Sequence, residues 1–377
     1  MKRHLLTVAA AAAIALGAGL AAAQAQTREL RIAPAAPPAH PAYSHLYAKL
    51  AEYLPEESEG RLTAQILGPE VVNLGQMKEA LQSQIAEIGN LLPLYFPAEL
   101  PNMSLAGELA LAGRDAHAMA AAMTEYMVTC GPCQAELTQF GVVYLGSGSS
   151  DVYALLTTKP VHGAADLEGL RLRSGGAPFS RWAEHFGASP ANISVLDTFE
   201  SMSQGVIDGT MASVADLLSF RLVELVTSVT TLQLGTYHAT SNFTIAGPVW
   251  ASLSVEDRAA LTRAANRANV DMSQRWGYDM PAEALAAAHE AGIEFIEPDA
   301  ALVEASEAFA KADQATVVAI SQERYGIADA EASVARFLGL VDKWTAIVEE
   351  VDHDPDALKA RLQAEVWDKV DLASYGL

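Results

Sequence analysis

From residue 30 onward, short apolar runs alternate with stretches in which apolar residues recur every three or four positions. Residues 30–33 read as a first strand, followed by the loop 34–41. Tyr43, Leu46, Tyr47, Leu50, Tyr53 and Leu54 then repeat at the helical period, which predicts a helix with all six on one face. A second strand is expected at 61–66, after Gly60, and a helix at 74–85 that buries Met77, Leu81 and Ile85. Residues 88–94 suit a buried strand, 116–140 a long helical stretch, and 142–145 another strand. The pattern then restarts, with strands expected at 153–158, 170–173, 192–196, 231–234 and 244–250. Helices are expected after Phe179, Phe199, Leu217 and Ser254, the last with Ser254 as N-cap and a run to about residue 290. Residues 293–297 read as a late strand, and the rest as helix. Strand followed by helix, many times over, predicts an α/β fold with mostly parallel sheets covered by helices. There is no repeat and no flexible linker, so two lobes would be joined by crossing strands rather than strung like beads.

Length agrees with two lobes: 377 residues, at about 150 per domain, make two domains or slightly more. The first 25 residues stand apart. Lys2, Arg3 and His4 precede an apolar run and the small-residue tail Ala21-Ala22-Ala23-Gln24-Ala25, the layout of a secretory leader with cleavage expected after Ala25. A lipobox cysteine is lacking, and no later stretch is long and apolar enough to span a bilayer. The product is expected to be exported, into a bacterial periplasm. Its 46 acidic residues then face 22 basic ones, Lys2 and Arg3 having left with the leader, for a charge of -24. Such a field disfavours nucleic acid and anionic membranes, which select clustered Lys and Arg.

Enzyme chemistry finds little support. Cys130-Gly131-Pro132-Cys133 has the form of a thioredoxin tetrapeptide, but it follows a helical stretch where a redox motif follows a buried strand. The alternatives are a structural disulfide at a helix break made by Gly131 and Pro132, favoured by an oxidising compartment, and a disulfide oxidoreductase. The nine histidines form no metal-ligand spacing, and there is no nucleophile elbow, phosphate loop or dinucleotide fingerprint. No metal and no cofactor is expected. What remains is Arg173, which ends a short apolar strand just before Ser174-Gly175-Gly176. Ligands of open α/β sheets collect outside the carboxyl ends of strands, where a guanidinium can grip an anion with a planar fork. Arg173 either does this or pairs with a carboxylate of the protein. His40 in the first loop, Asn90 in the third strand, Tyr95 just after it and Asn242 before a later strand are weaker cleft candidates.

Several segments resemble the solute receptors of tripartite ATP-independent periplasmic (TRAP) transporters. Asp166-Leu167-Glu168-Gly169-Leu170-Arg171-Leu172-Arg173 is similar to that family's DLKGLKIR segment. Asp197-Thr198-Phe199 followed by Gln204-Gly205-Val206-Ile207-Asp208-Gly209 resembles its E-V-Y…Q-G-V-V-D-G at the same spacing. Pro160-Val161 and Gly60-Arg61-Leu62 resemble its KPV and G-G-R-L, and the likeness runs from about residue 30 to 347. The resemblance implies a two-lobed periplasmic-binding fold with lobes joined by crossing strands and a long helix. It implies a cleft that takes an organic acid, with Arg173 clamping the ligand carboxylate, and integral membrane subunits of a TRAP transporter as partners. An ABC-type binding protein is the alternative with similar lobes.

The chain departs from the family at two places. Phe199 stands where the family has a tyrosine, which removes a hydroxyl. Ala212 stands where D-G-Q-E-N-P has its asparagine, leaving Ser213 and Asp216 as the nearest polar substitutes. The expected lobes are residues 27–152 plus 240–282 and residues 153–239 plus 283–340, with 341–377 a helical tail.

Overall fold

The computed structural model describes residues 27–377, so the expected leader lies outside the described residues. Two mixed sheets form the frame. The first orders β2 (Leu62–Ile66), β1 (Arg28–Ala33), β3 (Ile88–Leu91), β10 (Ser241–Ala246) and β4 (Val142–Tyr144). The second orders β11 (Glu294–Ile296), β9 (Ser228–Thr230), β5 (Ala154–Thr157), β8 (Gly209–Ala212), β6 (Arg171–Arg173) and β7 (Ser189–Ala191). In the first sheet only β10 runs against its neighbours, and in the second only β5 does. The reason lies in how these two strands arrive. β5 comes straight from β4 of the first sheet, and β10 straight from β9 of the second, without a helix between. A strand entering from the other lobe runs in from the side where the parallel strands end. A parallel return would need a helical crossover. The carboxyl ends of the parallel strands in both sheets therefore face each other across a cleft.

The two crossing segments pair with each other. Tyr153 donates its N–H to the Gly235 carbonyl at 2.7 Å, Leu234 donates back to Tyr153 at 3.1 Å, and Val152 bridges Thr236 antiparallel. A third connection is the long helix Val255–Gln274, which passes through a π-helical turn, Arg275–Asp279, into Met280–Glu290 and on to β11. The protein is thus a two-lobed α/β structure joined by crossing strands and a long helix. Ser254 caps that helix as expected, its hydroxyl accepting from the Asp257 N–H at 3.0 Å.

The differences from the sequence pattern have local causes. β7 lies at 189–191 instead of 192–196. It contains Pro190, which a strand tolerates at the edge of a sheet, where β7 sits. β9 is Ser228–Thr230 instead of 231–234. Its polar side chains are buried because Ser228 and Thr230 donate to the carbonyls of Lys159 at 3.0 Å and Val161 at 2.8 Å. The first helix starts as a π-helical turn, Ala42–Tyr47, whose wider winding rotates Tyr43 off the face that buries Leu46, Tyr47, Leu50, Tyr53 and Leu54. Ile85 falls beyond the end of Met77–Gln82 and is exposed. The stretch 116–140 is two helices, Ala116–Thr129 and Gly131–Phe140, which meet at Cys130.

The C-terminal part does more than trail. Helix Ala330–Glu350 packs on Ala116–Thr129, with Phe337 edge-on to Tyr126 at 5.6 Å between centroids. Glu125 accepts from both Lys343 and the Trp344 indole. Near the chain end, Tyr375 donates its hydroxyl to the carbonyl of Tyr144 in β4 at 2.8 Å. Arg181 ties Glu108 at 2.6 Å and Asp313 at 2.7 Å in a largely buried triad.

Candidate functional site

β6 ends at Arg173, and a Cβ added at Gly175 in the turn beyond would lie 3.4 Å from the Arg173 Nη1. The turn thus leaves the guanidinium room to lie across the strand end. Arg173 is 3% exposed. Its Nε donates to the Ile193 carbonyl at 3.2 Å. Among the described residues, no Asp or Glu oxygen lies within 4.0 Å of the guanidinium, and its Nη atoms have no hydrogen-bond partner. Arg171, two positions earlier, shows what a paired arginine looks like here. It forks onto Asp208 with two contacts of 2.9 Å and is half solvated.

Arg173 opens into a cavity between the two sheets. The first lobe contributes His40 from the loop after β1, Asn90 from β3 and Tyr95 from the turn Pro93–Tyr95. The second contributes Arg173, Asp216 at the start of the short helix Asp216–Ser219, and Phe220 just after it. Tyr153 and Tyr237 come from the two crossing segments, and Trp276 from the π-helical turn of the long helix. His40 joins the lobes: its ring lies 5.3 Å from Phe220 and 5.3 Å from Trp276. Its Nδ1 accepts from the Ala42 N–H at 3.0 Å, and burial lowers its pKa to about 4, so it is neutral at pH 7.

The cavity's polar atoms are unusually idle. Among the described residues, Asn90 Oδ1, Asp216 Oδ1, the Tyr237 hydroxyl and Trp276 Nε1 are buried without a hydrogen-bond partner. Asn90 Nδ2 only reaches the Pro34 carbonyl at 3.4 Å. Buried polar groups are ordinarily satisfied, so four idle ones around one unpaired cation mark a surface built for a polar guest. Burial raises the Asp216 carboxyl to about 7, opposed by the Arg173 charge.

Five of the residues singled out by sequence thus meet on one cavity: Arg173, Asp216, His40, Asn90 and Tyr95. Three do not line it. Phe199 packs in a satellite core of the second lobe with the Arg221 guanidinium 5.3 Å over its ring. Ser213 is fully buried, and its hydroxyl accepts from the Ala215 N–H at 3.0 Å, which starts the turn toward Asp216. Asn242 lies behind the cavity, donating to Asn269 Oδ1 at 2.7 Å while its carbonyl accepts from Tyr47. Tyr153, Tyr237, Phe220 and Trp276 went unnoticed in the sequence. None belongs to a motif, and each reaches the cavity from a crossing segment, a turn or a bulge. Cys130 and Cys133 are bonded to each other, 4% and 0% exposed, in the first-lobe core.

A ligand cavity between two α/β lobes with double crossing strands is the architecture of periplasmic binding proteins. The chain belongs to the bacterial extracellular solute-binding protein family 7, whose model matches residues 32–318. That family consists of binding proteins and not of enzymes. A solute-binding protein of Roseobacter denitrificans is 30% identical over 177 residues, and this match covers 45% of the chain and about half (50%) of that relative. Among solved structures, a marine metagenome TRAP solute-binding protein with 3-hydroxybenzoate has a TM-score of 0.75 at 21% identity, covering 84% of this chain and 99% of the other. A Bordetella bronchiseptica TRAP protein with bound mandelate has a TM-score of 0.72 at 23% identity, covering 84% and 99%. One from Rhodoferax ferrireducens with copurified benzoate has a TM-score of 0.75 at 18% identity, covering 85% and 100%. At these identities the likeness is one of fold. Among the described residues, no helix is long and apolar enough to cross a membrane.

Proposed function

We propose that this protein captures a small organic acid in the cleft between its lobes, in the periplasm, and delivers it to the integral membrane subunits of a TRAP-type transporter. The observation that carries the reading is the buried, unpaired guanidinium of Arg173 in an aromatic-walled cavity. An uncompensated charge in such a place costs several kcal/mol, and a ligand carboxylate offsets that cost with a bidentate pair. Lobes of residues 27–152 plus 240–282 and 153–239 plus 283–340 would shut on the acid by hinge bending, the bound ligand biasing the closed state. Residues 341–377 would brace the first lobe. His40, Asn90 and Tyr95 would touch the ligand from one side, Asp216 from the other. The neighbours crystallised with benzoate, 3-hydroxybenzoate and mandelate support a ring-bearing acid.

A thermal-shift screen of organic acids followed by calorimetry tests the reading. A cognate acid is expected to bind with micromolar Kd or better, about -8 kcal/mol or below. Arg173→Ala is expected to weaken it by about 2–5 kcal/mol while the protein stays folded. Unchanged affinity in that variant would refute the clamp. A gene neighbourhood holding an ATPase in place of two membrane subunits of unequal size would point to an ABC-type partner.

A further inference from the structure

We propose that the acid bound here carries a second polar group, an O–H or N–H donor that gives its hydrogen to Asp216, so that Arg173 and Asp216 together select donor-bearing acids over plain ones. This rests on the receptor reading above and deepens it.

The argument starts from what Asp216 lacks. Asp208 and Asp313 are satisfied by Arg171 and Arg181, while Asp151, next to Asp216, has an unpartnered Oδ1 of its own among the described residues but does not line the cavity. Asp216 is 2% exposed, lines the cavity, and has an Oδ1 without a partner among the described residues. It does not close onto Arg173, since the two lie more than 4.0 Å apart with the cavity between them. Among the described residues, no donor of the protein hydrogen-bonds Asp216 Oδ1. The Ser213 hydroxyl accepts from the Ala215 N–H at 3.0 Å and does not line the cavity. Thr240 Oγ1 is engaged with Gly148 at 3.0 Å and 3.2 Å. The Tyr237 hydroxyl and Trp276 Nε1 are themselves without partners, so neither serves Asp216.

A guest is what remains to satisfy it. A plain carboxylate gripped by Arg173 offers Asp216 only negative charge or an apolar edge. A carboxylate with a hydroxyl or N–H on its far side offers a charge-assisted hydrogen bond instead. Arg173 then reads the acceptor end of the ligand and Asp216 its donor. Sites built to hydrogen-bond a ligand group reject the analogue that lacks it more strongly than apolar pockets reject a missing methylene, because their own polar atoms stay unpaired. The Asp216 carboxyl, held near neutrality by burial, would be drawn to its ionised form by such a donor.

Calorimetric titration at about pH 8, above the titration of Asp216, decides the matter. Three matched pairs serve as probes: 3-hydroxybenzoate with benzoate and mandelate with phenylacetate for O–H donors, and pyroglutamate with cyclopentanecarboxylate for an N–H donor. The donor-bearing member of at least one pair is expected to bind roughly ten-fold tighter or more to the wild type. In Asp216→Asn and Asp216→Leu that gap is expected to fall below about three-fold. The loss should come from the donor-bearing acid, with the plain one binding equally well or better once the negative charge is gone. Asn is the near-isosteric control should Leu fail to fold, and circular dichroism checks both. Equal affinity within every pair that binds, or a gap that survives both substitutions, overturns the inference and leaves the receptor reading intact. Binding by no acid, in the pairs or in the wider screen, overturns the receptor reading and the inference with it.

Discussion

Arg173 and His117 are both buried without the partner their chemistry asks for, and they differ in what supplies it. Arg173 faces a cavity, so a ligand can complete it. His117 faces Tyr278, ring centroids 4.7 Å apart, and both of its nitrogens are idle among the described residues. Burial lowers its pKa to about 4, against an ordinary 6.5. Its contribution to stability is therefore full above pH 6.5 and is lost as pH falls toward 4. His40 and His238, also lowered to about 4 by burial, act in the same direction. Asp216, raised to about 7, acts in the opposite one between about 7 and its ordinary 3.8. His117→Phe keeps the stacking and removes one titration, so melting temperatures should converge at pH 7. At about pH 5 the variant should be more stable than wild type by about 2 kcal/mol. A wild-type-like slope of melting temperature with pH in the variant would show that His117 does not titrate on unfolding.

At the scale of elements, the joints carry the site more than the regular pieces do. The π-helical turn Arg275–Asp279 interrupts the long helix and presents Trp276 to the cavity. The Cys130–Cys133 bridge sits where Ala116–Thr129 hands over to Gly131–Phe140, with the Cys133 N–H bonded to the Cys130 sulfur at 3.1 Å. This is a stitch across one helix boundary, and neither cysteine lines the Arg173 cavity. Closing so short a loop contributes about 2 kcal/mol in the chain-entropy account. Reduction under denaturant, or Cys130→Ser with Cys133→Ser, should lower the unfolding free energy by about that much. Acid affinity should be unchanged. Strong reduction of insulin by the purified protein would contradict a purely structural bridge.

For the molecule as a whole, the crossing segments both join the lobes and wall the cavity. Tyr153 and Tyr237 lie nearly parallel across them, with centroids 6.3 Å apart. Gly235, between β9 and β10, has φ +78°, and a Cβ there would lie 2.0 Å from the Ala110 carbonyl oxygen. Both the left-handed backbone and the close approach require glycine. Gly235→Ala should push the segment away from Ala110, lower stability by about 1–3 kcal/mol, and weaken acid binding without touching any ligand-facing group. Melting curves and calorimetry on the same sample check both effects, and an unaffected melting temperature would mean that the crossing is more pliant than its packing suggests.

How much of this was legible beforehand follows from which forces are local. The alternation of apolar runs and helical spacing announced two α/β lobes without a linker, because burial of one face per element is written in residue order. That Arg173 would face a cavity was legible too, since a cation at the carboxyl end of a strand beside a glycine turn has few local uses. The sequence left open whether a carboxylate of the protein would reach Arg173. Only folding settled that, by giving Asp208 to Arg171 and Asp313 to Arg181 while keeping Asp216 at a distance. The direction of β5 and β10, the strand made of Ser228 and Thr230, and the gathering of Tyr153, Phe220, Tyr237 and Trp276 were likewise decided in three dimensions. These depend on partners dozens of residues away, and no periodicity along the chain encodes which distant group will arrive.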